Sequence, residues 1–269
     1  MKRLYLSALY LLFSFTKPIY SQEINLGPRV TALGNIGVAL SDVWSLQSNQ
    51  SGLAFLQKPI VSISYRNSYL NPELNTQSAA FVYPFGKNVL GLGFQNYGFS
   101  AYSEQKMGFS YAKRFGNSVS AALNFNLHQV KIPNYGSVQA YSAEAGLQYQ
   151  VNENLTFGTH ISNPGMSSYR TEIKALIPVS LEFGSSYRFS DKVLLNSGFI
   201  KGLNSISDFR CGLEYSVINW LAFRGGMSAN PFRQFAGVGY QLQDLKIDAA
   251  ASTHPYLGFS PQLALSYEF

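Results

Sequence analysis

From Ile60 to the C-terminus, apolar and polar side chains take turns along the chain. The clearest run is Val119, Ala121, Leu123, Phe125 and Leu127, with Ser118, Ser120, Asn124, Asn126 and His128 between them. A period of two puts the first set on one face of an extended strand and the second on the other. Val179, Leu181, Phe183 and Tyr187 alternate in the same way with Ser180, Glu182, Ser186 and Arg188. Leu245, Ile247, Ala249 and Ala251 do so with Lys246, Asp248 and Ser252. The last stretch sets Leu263, Leu265, Tyr267 and Phe269 against Gln262, Ala264, Ser266 and Glu268.

Fourteen such segments follow one another, at 60–67, 77–85, 88–97, 105–115, 118–131, 139–151, 154–162, 177–189, 192–202, 207–217, 219–229, 234–242, 245–254 and 261–269. The links after even-numbered segments are tight: Gly86-Lys87, Gly116-Asn117, Asn152-Glu153, Ser190-Asp191, Ile218 and Gln243-Asp244. Those after odd-numbered segments are generally longer, as at 68–76, 132–138, 163–176 and 203–206. Charges within the segments fall almost entirely on the polar face. Hydrocarbon penalises a charge by ~2–4 kcal/mol at mid-bilayer, which gives this sorting a direct cause. The pattern predicts an all-β fold: a 14-stranded antiparallel transmembrane β-barrel, apolar side to lipid, polar side to the lumen, closed by the strand 261–269. At strand spacings of ~4.8 Å and a tilt of about 40°, such a barrel is roughly 28 Å wide. Wall side chains alone do not fill that width.

Residues 23–57 do not alternate. Gly27, Gly34, Gly37 and Gly52 interrupt an otherwise apolar run, and Ser41-Asp42 predicts a cap for a short helix through Val43–Leu46. A piece this apolar needs burial, so residues 22–58 are expected to form an N-terminal plug inside the barrel. A strap beneath the barrel is the alternative. Before it, Met1-Lys2-Arg3 and the apolar Leu4–Phe15 read as a signal peptide over 1–21, ending at Ser21. Residues 59–269 are the barrel. An export leader followed by barrel strands places the chain in the outer membrane of a Gram-negative bacterium. An even strand count puts both termini in the periplasm.

Composition changes little in this picture. Tyr and Phe supply 18 and 20 residues, which fits aromatic girdles at two interfaces. After the leader the charge falls from +6 to about +3, too mild and too dispersed for a nucleic-acid partner. The single cysteine, Cys211, shares its register with Phe209, Leu213 and Tyr215 and faces lipid. His128, His160 and His254 face the lumen, and the first two lie roughly 10 Å apart across one intervening strand. That is too far to share a metal, so neither a metal nor another cofactor is expected, and no catalytic set stands out: the chain does not read as an enzyme. Glu144, Glu182, Arg210, Glu214, Arg224, Lys246, Asp248 and Glu268 point inward by register. With Arg29 from the plug segment they are expected to form a plug–wall network.

The order Gly27-Pro28-Arg29-Val30-Thr31-Ala32-Leu33-Gly34-Asn35, then Asp42 and Asn49-Gln50-Ser51-Gly52-Leu53, resembles the FadL-like outer-membrane proteins, in the PorV/PorQ-type branch of Bacteroidota. Ile177-Pro178-Val179-Ser180-Leu181 with Gly184-Ser185-Ser186-Tyr187-Arg188, and Gly237-Val238-Gly239-Tyr240 with the final Tyr267-Glu268-Phe269, add to it. Gln50 and Ser51 stand where the family pattern has Pro and Ala. The resemblance implies fourteen strands and an N-terminal hatch. It implies either an accessory or scaffold subunit of a type IX-like secretion apparatus or outer-membrane assembly, or a passive transporter of small hydrophobic molecules. The outer loops are mostly under ten residues, and the longest, 163–176, is polar, which favours the first. The partners expected are outer-membrane lipid, other outer-membrane or secretion-machinery proteins, and a hydrophobic ligand in the transporter case.

Overall fold

The computed structural model describes residues 27–169, 175–203 and 205–269. The leader expected at 1–21 lies outside them. Fourteen antiparallel strands close into a single barrel. They are β1 (Ile60–Asn67), β2 (Asn75–Phe85), β3 (Asn88–Phe99), β4 (Tyr102–Phe115), β5 (Val119–Ile132), β6 (Gly136–Gln150), β7 (Leu155–Ser162), β8 (Ser180–Ser190), β9 (Val193–Gly202), β10 (Asp208–Ile218), β11 (Leu221–Ala229), β12 (Phe232–Leu242), β13 (Leu245–His254) and β14 (Gly258–Glu268). Each pairs with its neighbours in sequence, and β14 pairs with β1 to close the ring, with Ile63 opposite Leu265 and Tyr65 opposite Leu263. The Phe269 N–H donates to the Pro59 carbonyl at 3.0 Å, extending the seam beyond the last strand residue.

Alternation sets the two faces. Ser62, Ser64, Ser110, Asn124, Asn126, Ser186, Asn196 and Ser266 are buried inside. Ile63, Leu123, Phe125, Phe183 and Leu263 stand more than half exposed outside. A continuous apolar outer belt of this kind is stable against hydrocarbon, and a closed barrel leaves no backbone group unpaired there. Tyr83, Phe85, Phe115, Tyr149, Phe189, Trp220, Tyr240 and Phe269 ring the short-turn end. Among the described residues, no helix is long and apolar enough to cross a membrane.

The strands reach further toward the long-loop end than alternation alone indicates. β2 begins at Asn75, β4 at Tyr102, β6 at Gly136, β12 at Phe232 and β14 at Gly258. Backbone pairing there outlasts the apolar pattern, because beyond the lipid belt the outward face no longer has to be apolar. The eighth strand departs the other way. It starts at Ser180, not at 177. Pro178 has no N–H to give a ladder, so Ile177 instead donates to the Ser167 carbonyl and folds inward, buried, with Asn163. A two-residue ladder, Ser168–Tyr169 with Ala175–Leu176, lies in the same loop.

Residues 27–56 lie within the ring of strands and are almost wholly buried. They form helix α1 (Pro28–Ala32) and two 3₁₀ turns, Val43–Gln47 and Gln50–Phe55. Pro28 sits in the first turn of α1, where its missing N–H costs nothing. Asp42 caps the first 3₁₀ turn: its side chain accepts from the Trp44 N–H, and the Asp42 N–H donates to the Ser45 hydroxyl. Asn49 caps the second.

Candidate functional site: the occupied lumen

The segment 27–56 meets the wall in three ways. Toward β14 and β1–β5 the contact is apolar. Val43, Trp44, Leu46 and Leu53 pack on Ala80, Val82, Val89, Ala112, Ala122 and Ala264. Small wall residues leave room there for the large side chains of the segment.

Toward β6–β12 the contact is backbone to backbone, and inward-facing glycines permit it. A Cβ on Gly158 would stand 2.0 Å from the Val38 carbonyl oxygen. One on Gly212 would stand 2.5 Å from the Leu33 Cα, and one on Gly226 2.3 Å from the Gly34 nitrogen. Gly146, Gly184, Gly198 and Gly237 make room instead for segment side chains, those of Asn49, Val38, Ile36 and Ala32. Wall amides then tie down the carbonyls that come so close. Asn196 Nδ2 donates to the Ile36 carbonyl at 2.5 Å, and Gln148 Nε2 to those of Val38 and Leu40 at 3.0 Å each. The Asn49 amide returns the tie from the segment, to Leu147 at 3.1 Å and Thr159 at 3.3 Å.

The third contact is ionic. Arg29 forks onto Glu214 of β10, Nε to Oε2 at 2.9 Å and Nη2 to Oε1 at 2.8 Å, and its Nη1 reaches Asp42 Oδ2 at 3.2 Å. Arg224 bridges Glu214 and Asp248, each at 2.6 Å. Lys246 lies 3.6 Å from Asp42 and 3.5 Å from Asp248. Three cations thus balance three carboxylates in one hub, which borders a cavity of about 260 Å³ at the short-turn end. Burial works against both charges of the segment. For Asp42 the Lys246 and Arg29 charges and the Trp44 N–H outweigh it, holding the carboxyl at about 2. For Arg29 the Glu214 and Asp42 carboxylates outweigh it and raise the pKa well above the ordinary value.

Of the inward residues singled out by register, Arg29, Glu214, Arg224, Lys246 and Asp248 meet in this hub. Glu144 lies elsewhere, on β6. It accepts from Gln50 at 2.6 Å, Lys106 at 2.9 Å and Asn126 at 2.7 Å, with His160 Nε2 at 3.4 Å. Arg210 pairs with Asp208 at 2.7 Å and donates to the Asn35 carbonyl at 2.7 Å. Glu182 lies beside His160 in the β7–β8 ladder and makes no ion pair among the described residues. His128 meets Ser142 at 2.8 Å, and His254 stacks edge-on with Tyr69. Among the described residues no three metal-ligating side chains gather. Leu263, Leu265 and Tyr267 face outward on β14, and Phe269 just beyond it is exposed too. Sequence reasoning named Asp42 as a cap, which it is, but not as a member of the hub; it quoted Gln50 without a partner and did not single out Lys106, Gln148 or Asn196. It also missed the glycine belt, although its members fall on the inward register of successive segments.

At the long-loop end the mouth is aromatic. Tyr97 of β3 and Tyr102 of β4 turn inward, and Tyr102 donates to the Glu104 carboxylate. Tyr169 of the loop joins them; burial and then Glu104 push its pKa up to about 12.

Fold and lumen define a class: a closed 14-strand antiparallel barrel with an apolar exterior and a polar interior occupied by its own N-terminal segment. No family model and no curated protein matches the sequence. Solved structures do match. The toluene transporter TbuX of Ralstonia pickettii is 15% identical, with a TM-score of 0.69 over 90% of this chain and 98% of that one. The monoaromatic hydrocarbon channel CymD is 14% identical, with a TM-score of 0.72 over 92% and 99%. A FadL homologue of Pseudomonas aeruginosa is 12% identical, with a TM-score of 0.66 over 90% and 98%. At such identities the likeness is one of fold. It reaches the FadL-like architecture and does not distinguish a PorV/PorQ-type branch within it.

Proposed function

We propose that the chain is a passive, non-enzymatic transporter of small hydrophobic molecules across a Gram-negative outer membrane, with residues 27–56 as the plug of its lumen and both termini in the periplasm. The observation that carries this reading is an architecture shared over about nine-tenths of the chain with structures named as toluene and monoaromatic hydrocarbon channels. It favours this reading over the accessory-subunit reading drawn from loop length. That inference assumed that an apolar vestibule must be built from loops. Here the strands extend past the lipid belt, and the wall itself carries Tyr97 and Tyr102 at the mouth, with Tyr169 above. Tyr102, with its hydroxyl held by Glu104, keeps its ring for apolar contact.

The test is uptake of labelled toluene and of a labelled long-chain fatty acid by Gram-negative cells that lack their own hydrophobic channels. Cells bearing the full chain should take up at least one of them faster than vector controls. Tyr102→Ala should slow that uptake about two- to tenfold, the worth of one aromatic contact. Uptake equal to the control, with the barrel present and heat-modifiable in the outer membrane, overturns the reading. A stoichiometric protein partner on mild-detergent extraction would then restore the accessory role.

A further inference from the structure

The outside of the barrel carries a feature that the lumen does not explain. A groove of about 490 Å³ crosses the outer face from β4 to β8. Its floor is Ala121, Ala145 and Thr159, and Leu123 and Leu147 rise beside them. The register builds it, with Lys113 opposite Ala121, Ala121 opposite Leu147, and Leu147 opposite Thr159. Lys113 therefore stands at one edge of the groove, near the Gly116-Asn117 turn. It is exposed, and its ammonium lies 5.5 Å from the centre of the Phe115 ring.

A cation on the lipid face costs ~2–4 kcal/mol at mid-bilayer and ~0–1 kcal/mol near an interface. Lys113 sits where the cost is low, its stem along apolar surface and its head within reach of lipid headgroups. No carboxylate among the described residues pairs with it. By register, none of the described strands turns an Asp or Glu outward. The strand faces of a second copy would therefore offer this ammonium no counter-charge, whereas a lipid phosphate does.

We propose that this wall binds one phospholipid of the leaflet at the short-turn end, its phosphate on Lys113 and one acyl chain in the groove. A fixed cation beside a hydrocarbon-lined trough is the complement of an anionic head joined to a chain. The site is independent of what passes through the lumen.

The full chain is reconstituted in vesicles of phosphatidylethanolamine and phosphatidylglycerol, extracted gently and analysed by native mass spectrometry. One phospholipid should stay with each barrel. Lys113→Gln should reduce that population about fivefold, the order expected for one interfacial charge, and Ala145→Phe, which fills the groove floor, should reduce it too. Lys113→Arg should keep it, as should Lys131→Gln, which removes an outward cation at the other end of β5. Excess inorganic phosphate should not displace the lipid. The proposal falls if the native barrel retains no lipid, if Lys113→Gln retains it as the native chain does, or if Ala145→Phe does. Heat-modifiable mobility confirms that each variant is folded, and Ala145→Leu stands in should Ala145→Phe not insert.

Discussion

Arg29 is the residue on which the ionic contact between segment and wall turns. It satisfies a wall carboxylate and a segment carboxylate at once, while keeping 16% of its side chain exposed. Removing one partner of a fully buried pair costs ~3–5 kcal/mol; residual exposure puts this one on the order of 2–4 kcal/mol. Arg29→Glu sets a fourth acid against two cations. The segment should loosen, and single barrels in planar bilayers should conduct more than the native chain. An unchanged closed trace would show that the hub does not hold it. Asp42 gives the pH dependence. Its folded pKa of about 2 lies below the ordinary 3.8, so its contribution is fully present above about pH 4 and fades as the pH drops toward 2. Conductance should rise over that acid window, and Asp42→Asn should raise it at neutral pH. Which residues face inward was legible from parity alone. Which of them meet was not. Glu144 and Glu214 look alike in the sequence, yet one receives Gln50 and Lys106 and the other receives Arg29, because axial level and strand stagger decide the partner.

Elements repeat the lesson with backbone in place of charge. Fourteen strands were readable because lipid on one side and a polar lumen on the other enforce a strict period of two. Their outer ends were not readable, since pairing continues where the lipid no longer selects side chains. The path of residues 27–56 was legible only as a need for burial; nothing in an irregular segment encodes which wall it touches. The inward glycines encode it from the other side. Gly212→Val places carbon into the Leu33 backbone and should unseat α1, seen as protease cleavage near residue 33 in a barrel that still migrates as folded. Gly93→Val is the control. It also faces inward, but its added carbon meets nothing within 4 Å. Equal protease resistance of the two variants would remove the belt's role.

The whole molecule is held by closure and by its medium. Leu265 lies outward in the seam strand, 42% exposed, opposite Ile63 and Ile247. Leu265→Arg should cost ~2–4 kcal/mol in bilayer refolding experiments, and less in a detergent that accommodates the charge. The same cost in both media would show that the outer face answers to something other than hydrocarbon. The seam has one more property. Only residues 56–59 connect the second 3₁₀ turn to β1, and β1 is half of that seam. Four residues pulled straight cover about 13–14 Å, roughly half the bore. Residues 27–55 are leashed to the joint that keeps the cylinder shut, and Lys58 staples the leash to Asp244 at 3.3 Å. A segment that left the bore would therefore still hang from that joint at the short-turn end, held within a few residues' reach of its seat.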